Sequence, residues 1–410
     1  MFVRAAIPTR RARLESCPIL VVESMSSYED ELNELVGQLN RQVQVRTGSK
    51  SDEPGRVEKP QLAAALTQAI RANASDILLV PGTALAQRIN GKIRPTAAPA
   101  LTDADVRSMV LPLLSTLESE TLQKERSVDL AFQSSLGRRF RANIHFQQTM
   151  LAAAIRLLPE DIPRLASLNL PPQINQLPFL MRGLVLITGP TGSGKSSTLA
   201  AITDEINRNR ECHIVTVEEP VEFLHVNRKA IVEHIEVGID TPSFSSCLRS
   251  ILRQSPDVIL VGEMRDPETI SLVLTAAETG HLVLSTLHTN DAAQAISRMV
   301  DSVHPGNQAQ VRQQISLSLA AIITQQLIPS SDGARRHPAC EIMVATDAIR
   351  NLIRQGQDHQ IRSQMLISRV AGMITMEHSL AELVRRGQIS REAALSHSFR
   401  QDELKGLLSS

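Results

Sequence analysis

Tryptophan is absent from the 410-residue chain, tyrosine occurs once (Tyr28) and phenylalanine eight times. A protein that grips single strands by stacking bases on aromatic side chains needs more flat rings than this. Charge of one sign is also lacking: 43 lysines and arginines balance 43 aspartates and glutamates. No global field therefore draws the chain toward nucleic acid or an anionic membrane, and no nucleic-acid partner is expected. The four cysteines, Cys17, Cys212, Cys247 and Cys340, form no close pair. That spacing offers neither a metal knuckle nor a disulfide framework and predicts free thiols in a reducing cytosol. No apolar run approaches the ~20 residues that cross a bilayer. The basic start, MFVRAAIPTRRARLESCPIL, lacks the apolar stretch of a signal peptide. The expectation is a cytoplasmic protein that meets a membrane only peripherally, through partners.

What is present is ordinary globular composition, 42% hydrophobic and 21% charged, with length for two or three domains. Residues 1–58 read as an extension of unknown role. Within it Leu32, Leu35 and Leu39 make one stripe of a short helix between Tyr28 and Val45, and the polar stretch 47–59 reads as a linker. Residues 59–160 read as a small α/β domain. It should carry a helix at Leu62–Ala72, a strand at Asp76–Val80, a helix at Val106–Leu117, and strands at Ser127–Gln133, Arg138–Gln147 and Met150–Leu157. Residues 161–180 contain Pro163, Pro171, Pro172 and Pro178 and read as a stiff connection, since proline fixes φ and removes donors. Residues 181–345 alternate apolar strands (Leu184–Thr188, His213–Val217, Val258–Val261, Leu282–Leu287) with helices at Lys195–Asn209 and Pro267–Thr279. Continuous apolar strands separated by helices imply a parallel sheet covered on both faces. After Asn307 the pattern turns mostly helical, with Val311, Ile315, Leu319, Ile322 and Leu327 at helical spacing. Residues 346–410 should form a helical end.

The loop Gly189-Pro190-Thr191-Gly192-Ser193-Gly194-Lys195-Ser196, with Ser197 after it, matches G-x-x-x-x-G-K-[ST] between a strand and a helix. Glycines let the backbone wrap close to phosphate oxygens, and the helix start adds its positive end. Lys195 should reach the β- and γ-phosphates of ATP, and Ser196 should coordinate Mg²⁺. In open α/β sheets, ligands sit beyond the carboxyl ends of the strands. There the strand at 213–217 delivers Glu218 and Glu219, with Glu222 close behind. The strand at 258–261 delivers Gly262 and Glu263, and the strand at 282–287 delivers His288. A single strand-end carboxylate or histidine is commonly just solvated. Three successive ones on the phosphate side favour a catalytic set.

These segments resemble the secretion and pilus ATPases of the type II secretion and type IV pilus superfamily. TVEEPVEF (216–223) is similar to its acidic box, DVILVGEMRD (257–266) to its atypical Walker B motif and TGHLVLSTLHTND (279–291) to its histidine box. Upstream, ASDILLV (74–80), RINGKIRP (88–95) and RRFRANIHF (138–146) resemble its amino-terminal PAS-like domain. The resemblance implies an α/β fold with a RecA-like P-loop NTPase core, an N-terminal PAS-like domain and a helical C-terminal portion. It implies Glu218 as the catalytic base, Glu263 as support for the Mg²⁺ site, and His288 as a sensor of the γ-phosphate. It also implies a homohexameric ring in which Arg141 and Arg156 complete a neighbouring subunit's nucleotide site. Glu219 stands where the family usually has Asp, and Leu78 where it often has His.

AIRNLIRQG (348–356) resembles a motif of the pilus-retraction (PilT-type) branch, and the four-cysteine zinc insertion usual in assembly and secretion ATPases is missing. The reading is then a cytoplasmic hexameric Mg-ATPase docked on an inner-membrane pilus platform and powering retraction. Its rivals are a superfamily ATPase of a secretion or conjugation machine, and a nucleotide-gated accessory subunit with little turnover. On the retraction reading, Ile349, Leu352 and Ile353 form an apolar docking stripe.

Overall fold

A computed structural model describes residues 58–409 apart from 90 and 334. The readings made for residues 1–57, including the helix at Tyr28–Val45 and Cys17, lie outside the described residues.

The amino-terminal part begins with the helix Pro60–Arg71. It continues as β1 (Asp76–Leu79), β2 (Ala84–Ile89) and β3 (Lys92–Ala100), then helices Asp103–Val110 and Thr116–Glu125, then β4 (Ser127–Gln133), β5 (Arg139–Gln147) and β6 (Met150–Leu157). The six strands pair antiparallel in the order β3-β2-β1-β6-β5-β4. Period-two alternation sends Ile77, Leu79, Ile144 and Ile155 into one core with Leu62, Leu66 and Val106 of the helices. The opposite face is polar. Two of the helices are fixed at their starts by reciprocal caps, Thr102 with Asp105 and Ser115 with Glu118. The expected single helix at 106–117 is instead two, because Pro112 and the second cap interrupt it.

The second part is built on β7 (Gly183–Thr188), β8 (His213–Glu218), β9 (Ile231–Glu236), β10 (Val258–Val261), β11 (Leu282–Leu287), β12 (Leu319–Pro329) and β13 (Arg336–Val344). The seven strands run in the order β13-β12-β7-β11-β10-β8-β9, all parallel except the β12–β13 pair. Every residue of β7, β10 and β11 is buried, as continuous apolar runs require. Apolar clusters lie on both faces of the sheet, one with Leu199, Ile202 and Ile206 of helix Lys195–Asn209, the other with Ile270, Val273 and Leu274 of helix Pro267–Glu278. The α/β expectation is met.

Three expectations are changed or extended. Helices do make up most of the region after Asn307, but the stripe drawn there is split: helix Gln308–Ser318 carries Val311 and Ile315, whereas Leu319, Ile322 and Leu327 belong to β12. The run LAAIITQQLIP is apolar on both faces, so its accidental helical spacing carried no information, while Ile322, Ile323 and Thr324 favour a strand. The proline-rich stretch, read as a stiff connection, is in addition packed onto the second part. Leu165, Ile174 and Leu177 of its short 3₁₀ turns are buried against the sheet of the second part. Finally, Ile349 and Ile353 of helix Asp347–Gln355 are wholly buried in the core, and Leu352 packs against it. The stripe expected to dock a partner is the inner face of the helix.

The remaining helices, Ile361–Ile367, Met376–Arg385, Arg391–His397 and Gln401–Ser409, close over β12 and β13. One guanidinium joins them to the sheet. Arg362 lies 2.5 Å from Glu377, 2.7 Å from Glu403 and 3.7 Å from Glu341 on β13. Glu341 in turn accepts the Ala292 N–H at 2.9 Å, at the start of helix Ala292–Asp301. Burial pushes the Glu341 carboxyl up to about 7. Replacing Arg362 by Met leaves these buried acids without their cation, and stability should fall by about 3–5 kcal/mol. Urea unfolding followed by circular dichroism measures this; tryptophan fluorescence is not an option in this chain.

Candidate active site

The register of the parallel strands sets the site. Leu287 lies beside Thr188, Val261 beside Ser285, and Val217 beside Val261. The residues that follow these strand ends, Gly189, Glu218, Gly262 and His288, therefore emerge along one edge of the sheet. There Glu218, Gly262 and His288 line a cleft of about 630 Å³ together with Lys195, Ser196, Glu263, Arg141 and Arg156. The cleft gathers every expected catalytic residue. Arg141 and Arg156 of the amino-terminal domain reach it within the same chain.

The phosphate loop takes the shape its glycines allow. Gly189, Gly192 and Gly194 have φ of +135°, +78° and +92°. Gly189 is required twice over, because a Cβ there would lie 2.2 Å from the carbonyl oxygen of Gln325 on β12. The Gln325 side chain reaches the other end of the loop, accepting the Thr198 hydroxyl at 2.9 Å and passing close to Gly194. Thr188 and Thr324 share a hydroxyl hydrogen bond of 2.8 Å beside it. Sequence reasoning missed Gln325. Its signal was a pair of glutamines inside an otherwise apolar strand, which burial permits only with partners. Ser193 Oγ is buried without a partner inside the loop, a donor left for an anion.

Charge in the cleft is neutralised internally. Lys195 Nζ donates to its own loop, to Gly189 O at 2.8 Å and Pro190 O at 3.0 Å, and lies 3.5 Å from His288 Nδ1. Burial lowers the Lys195 ammonium from its ordinary range, while the charges of Glu263 and Glu222 oppose that shift. His288 is also lowered, by burial and then by the charge of Lys195. Its Nε2 is 3.9 Å from Glu263.

Glu218 is strongly perturbed in the cleft. Burial pushes its carboxyl up to about 7, against hydrogen bonds from the Glu222 N–H and the Thr216 side chain that favour the anion. Gly262, where a metal-binding Asp is usual, touches it: a Cβ there would meet Glu218 Cα at 3.4 Å and Cγ at 3.6 Å. A longer side chain would run along the Glu218 side chain, and the nearest following carboxylate is that of Glu263.

Arg141 and Arg156 sit directly opposite one another on β5 and β6. Arg156 is 2.9 Å from Asp76 on β1, which also pairs with Arg88 at 3.3 Å; Arg141 is 3.6 Å from Asp129. The result is a cationic row on the polar face of the amino-terminal sheet, turned to the phosphate loop. Beside it, Arg139 reaches across to Glu236 of β9 at 3.4 Å. Neither Arg139 nor Arg265, which contacts Glu263 and Glu219, stood out in the sequence.

A model of the family described as "Type II/IV secretion system protein" matches residues 51–408. The chain is 43% identical to the "Twitching motility protein" of Neisseria gonorrhoeae over 307 residues, 75% of this chain and 82% of that one. It is 42% identical to the "Type IV pilus retractation ATPase PilT" of Pseudomonas aeruginosa over 321 residues, 78% and 93% of the two chains. Among solved structures, the "Pilus Retraction Motor PilT and Bound ADP" superposes with a TM-score of 0.77 at 42% identity, covering 84% of this chain and 98% of that one.

Gly189→Ala tests the loop geometry. The added Cβ cannot coexist with the Gln325 carbonyl, so nucleotide binding, read by a fluorescent ADP analogue, should be lost while the far-ultraviolet circular dichroism is kept.

Proposed function

Because the chain belongs to the type II/IV secretion system protein family, we propose that it is an ATP-hydrolysing motor that powers retraction of a type IV pilus. The observation carrying this reading is the single cleft where the phosphate loop, Glu218, Glu263 and His288 face two arginines of the other domain. The names of the relatives supply the pilus.

ATP phosphates replace the loop carbonyls as partners of Lys195, which costs little because the ammonium is already desolvated. Glu218 orients the attacking water and takes its proton; a base near 7 is matched to neutral pH. Arg141 and Arg156 offset the charge on the transferring phosphoryl group. His288, between Lys195 and Glu263, reports whether the γ-phosphate is present.

The donor set suits Mg²⁺, a hard cation that binds oxygen and keeps several waters. Ser196 supplies a hydroxyl and Glu263 a carboxylate, and no cluster of three or more histidines, cysteines or acids forms a dedicated cage among the described residues. When bound, the ion neutralises charge between the β- and γ-phosphates. Ser196 would hold it and Glu263 would support it.

Loss of the γ-phosphate removes the arginines' partner, and the amino-terminal domain rotates. Because residues 165–179 are packed onto the motor sheet, the bend falls at 158–164. Head-to-tail copies closing into a hexameric ring would turn this rotation into work on an inner-membrane pilus platform at the cytoplasmic face. No helix among the described residues is long and apolar enough to cross a membrane, which leaves that contact to partners. Boundaries near 58, 160, 180 and 345 divide the chain for this purpose.

Lys195→Ala should abolish hydrolysis, whereas Glu218→Gln should keep ATP binding and lose turnover; phosphate release at the wild-type rate from Glu218→Gln would sink the base assignment. For the free enzyme, kcat/KM should rise with pH through about 7 as Glu218 ionises. Helix Asp347–Gln355 exposes Asn351 and Arg354. Arg354→Glu should spare hydrolysis and stop twitching, while an unchanged spreading zone on agar would remove this helix from the docking surface.

A further inference from the structure

Glu219 stands where the resemblance leads one to expect Asp, and nothing in the hydrolytic scheme uses it. The structure gives it a partner. Arg265, four residues beyond β10, places one guanidinium nitrogen on Glu263 Oε1 and the other 3.5 Å from Glu219 Oε2. The guanidinium thus lies between two carboxylates, one inside the cleft and one at its rim. Glu263 is mostly buried and Glu219 is half exposed, with side-chain exposures of 19% and 43%. An Asp at 219 would be one methylene shorter and would fall away from Arg265. The charge of Asp129, on the amino-terminal sheet, also acts on Arg265.

This arrangement has a cost for an incoming cation. The carboxylate that would support Mg²⁺ already has a counter-ion, and two positive charges cannot share it without repulsion. A planar fork that spans two acids can release one while keeping the other. We propose that Arg265 is a positioning residue that holds Glu263 until the metal–nucleotide complex enters and then passes to Glu219, whose extra methylene serves that transfer. The proposal rests on the reading of the cleft as an Mg-ATP site.

The test is Mn²⁺ binding, read by electron paramagnetic resonance, to full-length protein saturated with a non-hydrolysable ATP analogue. Arg265→Gln removes the competitor and should tighten Mn²⁺ binding by about threefold, the scale of one partly exposed ion pair. Glu219→Gln removes the receiving acid, keeps Arg265 on Glu263 and should weaken Mn²⁺ binding to a similar degree. The double variant should match Arg265→Gln alone, because Glu219 acts only through Arg265. Should Arg265→Gln fail to fold, Arg265→Lys, which keeps the charge but cannot span both acids, should erase the effect of Glu219→Gln. Unchanged or weaker Mn²⁺ binding in Arg265→Gln overturns the transfer, as does a Glu219→Gln effect that persists in the double variant. Analogue binding measured without Mn²⁺ separates the two levels. Wild-type protein that binds no analogue defeats the nucleotide reading and the transfer together. Protein that binds analogue and Mn²⁺ with no shift among the variants defeats the transfer alone.

Discussion

Hydrogen bonding between parallel strands fixes where the chain can do chemistry. In a parallel sheet neighbouring strands point the same way, so their carboxyl ends share an edge, and a register error of one residue would turn each following side chain to the wrong face. Here β8, β10, β11 and β7 hold a continuous register. Glu218, Gly262, Glu263 and His288 all leave the sheet within a residue or two of that edge. β12 extends the same logic: its Gln325 carbonyl lies so close to Gly189 that the phosphate loop has one available shape. The loop is thereby set by a strand more than a hundred residues away in sequence.

A cleft with this many ionisable groups, several of them buried, must balance its charge before a ligand arrives. It does so by local substitution. Loop carbonyls stand in for phosphate oxygens around Lys195, a guanidinium accompanies Glu263, and Glu218 escapes the cost of a buried charge by being half protonated near neutrality. Gly262 belongs to the same balance. A carboxylate at that position would crowd Glu218 with a second negative charge, and the glycine leaves the buried base its space.

Much of this was legible in the sequence. Continuous apolar runs identified β7, β8, β10 and β11, and the rule about carboxyl ends then selected Glu218, Glu263 and His288 before any coordinates. The failures have physical causes. A strand buried on both faces, such as β12, has no periodicity of its own, so its isoleucines and leucines fell on helical spacing by accident. Ile349 and Ile353 form a good apolar stripe, but a stripe says only that something covers it, and here the cover is the protein's own core. The prolines at 171, 172 and 178 excluded long regular elements and pointed to a stiff connection, but not to the burial of Leu165, Ile174 and Leu177 against the sheet. Arg265 and Gln325 were invisible because their importance lies in distances across the fold. Arg141 and Arg156 line the cleft of their own chain, a placement that sequence alone does not give.

The row Arg88, Asp76, Arg156, Arg141 crosses four adjacent strands of the amino-terminal sheet. One acid is shared by two of these cations, and the last two face each other across a strand pair, an arrangement that is unfavourable in itself. The rigid antiparallel sheet keeps them there. Asp76 and Asp129 offset part of that repulsion, and the surplus positive charge is kept at the cleft wall by backbone hydrogen bonding rather than by any side chain's own preference.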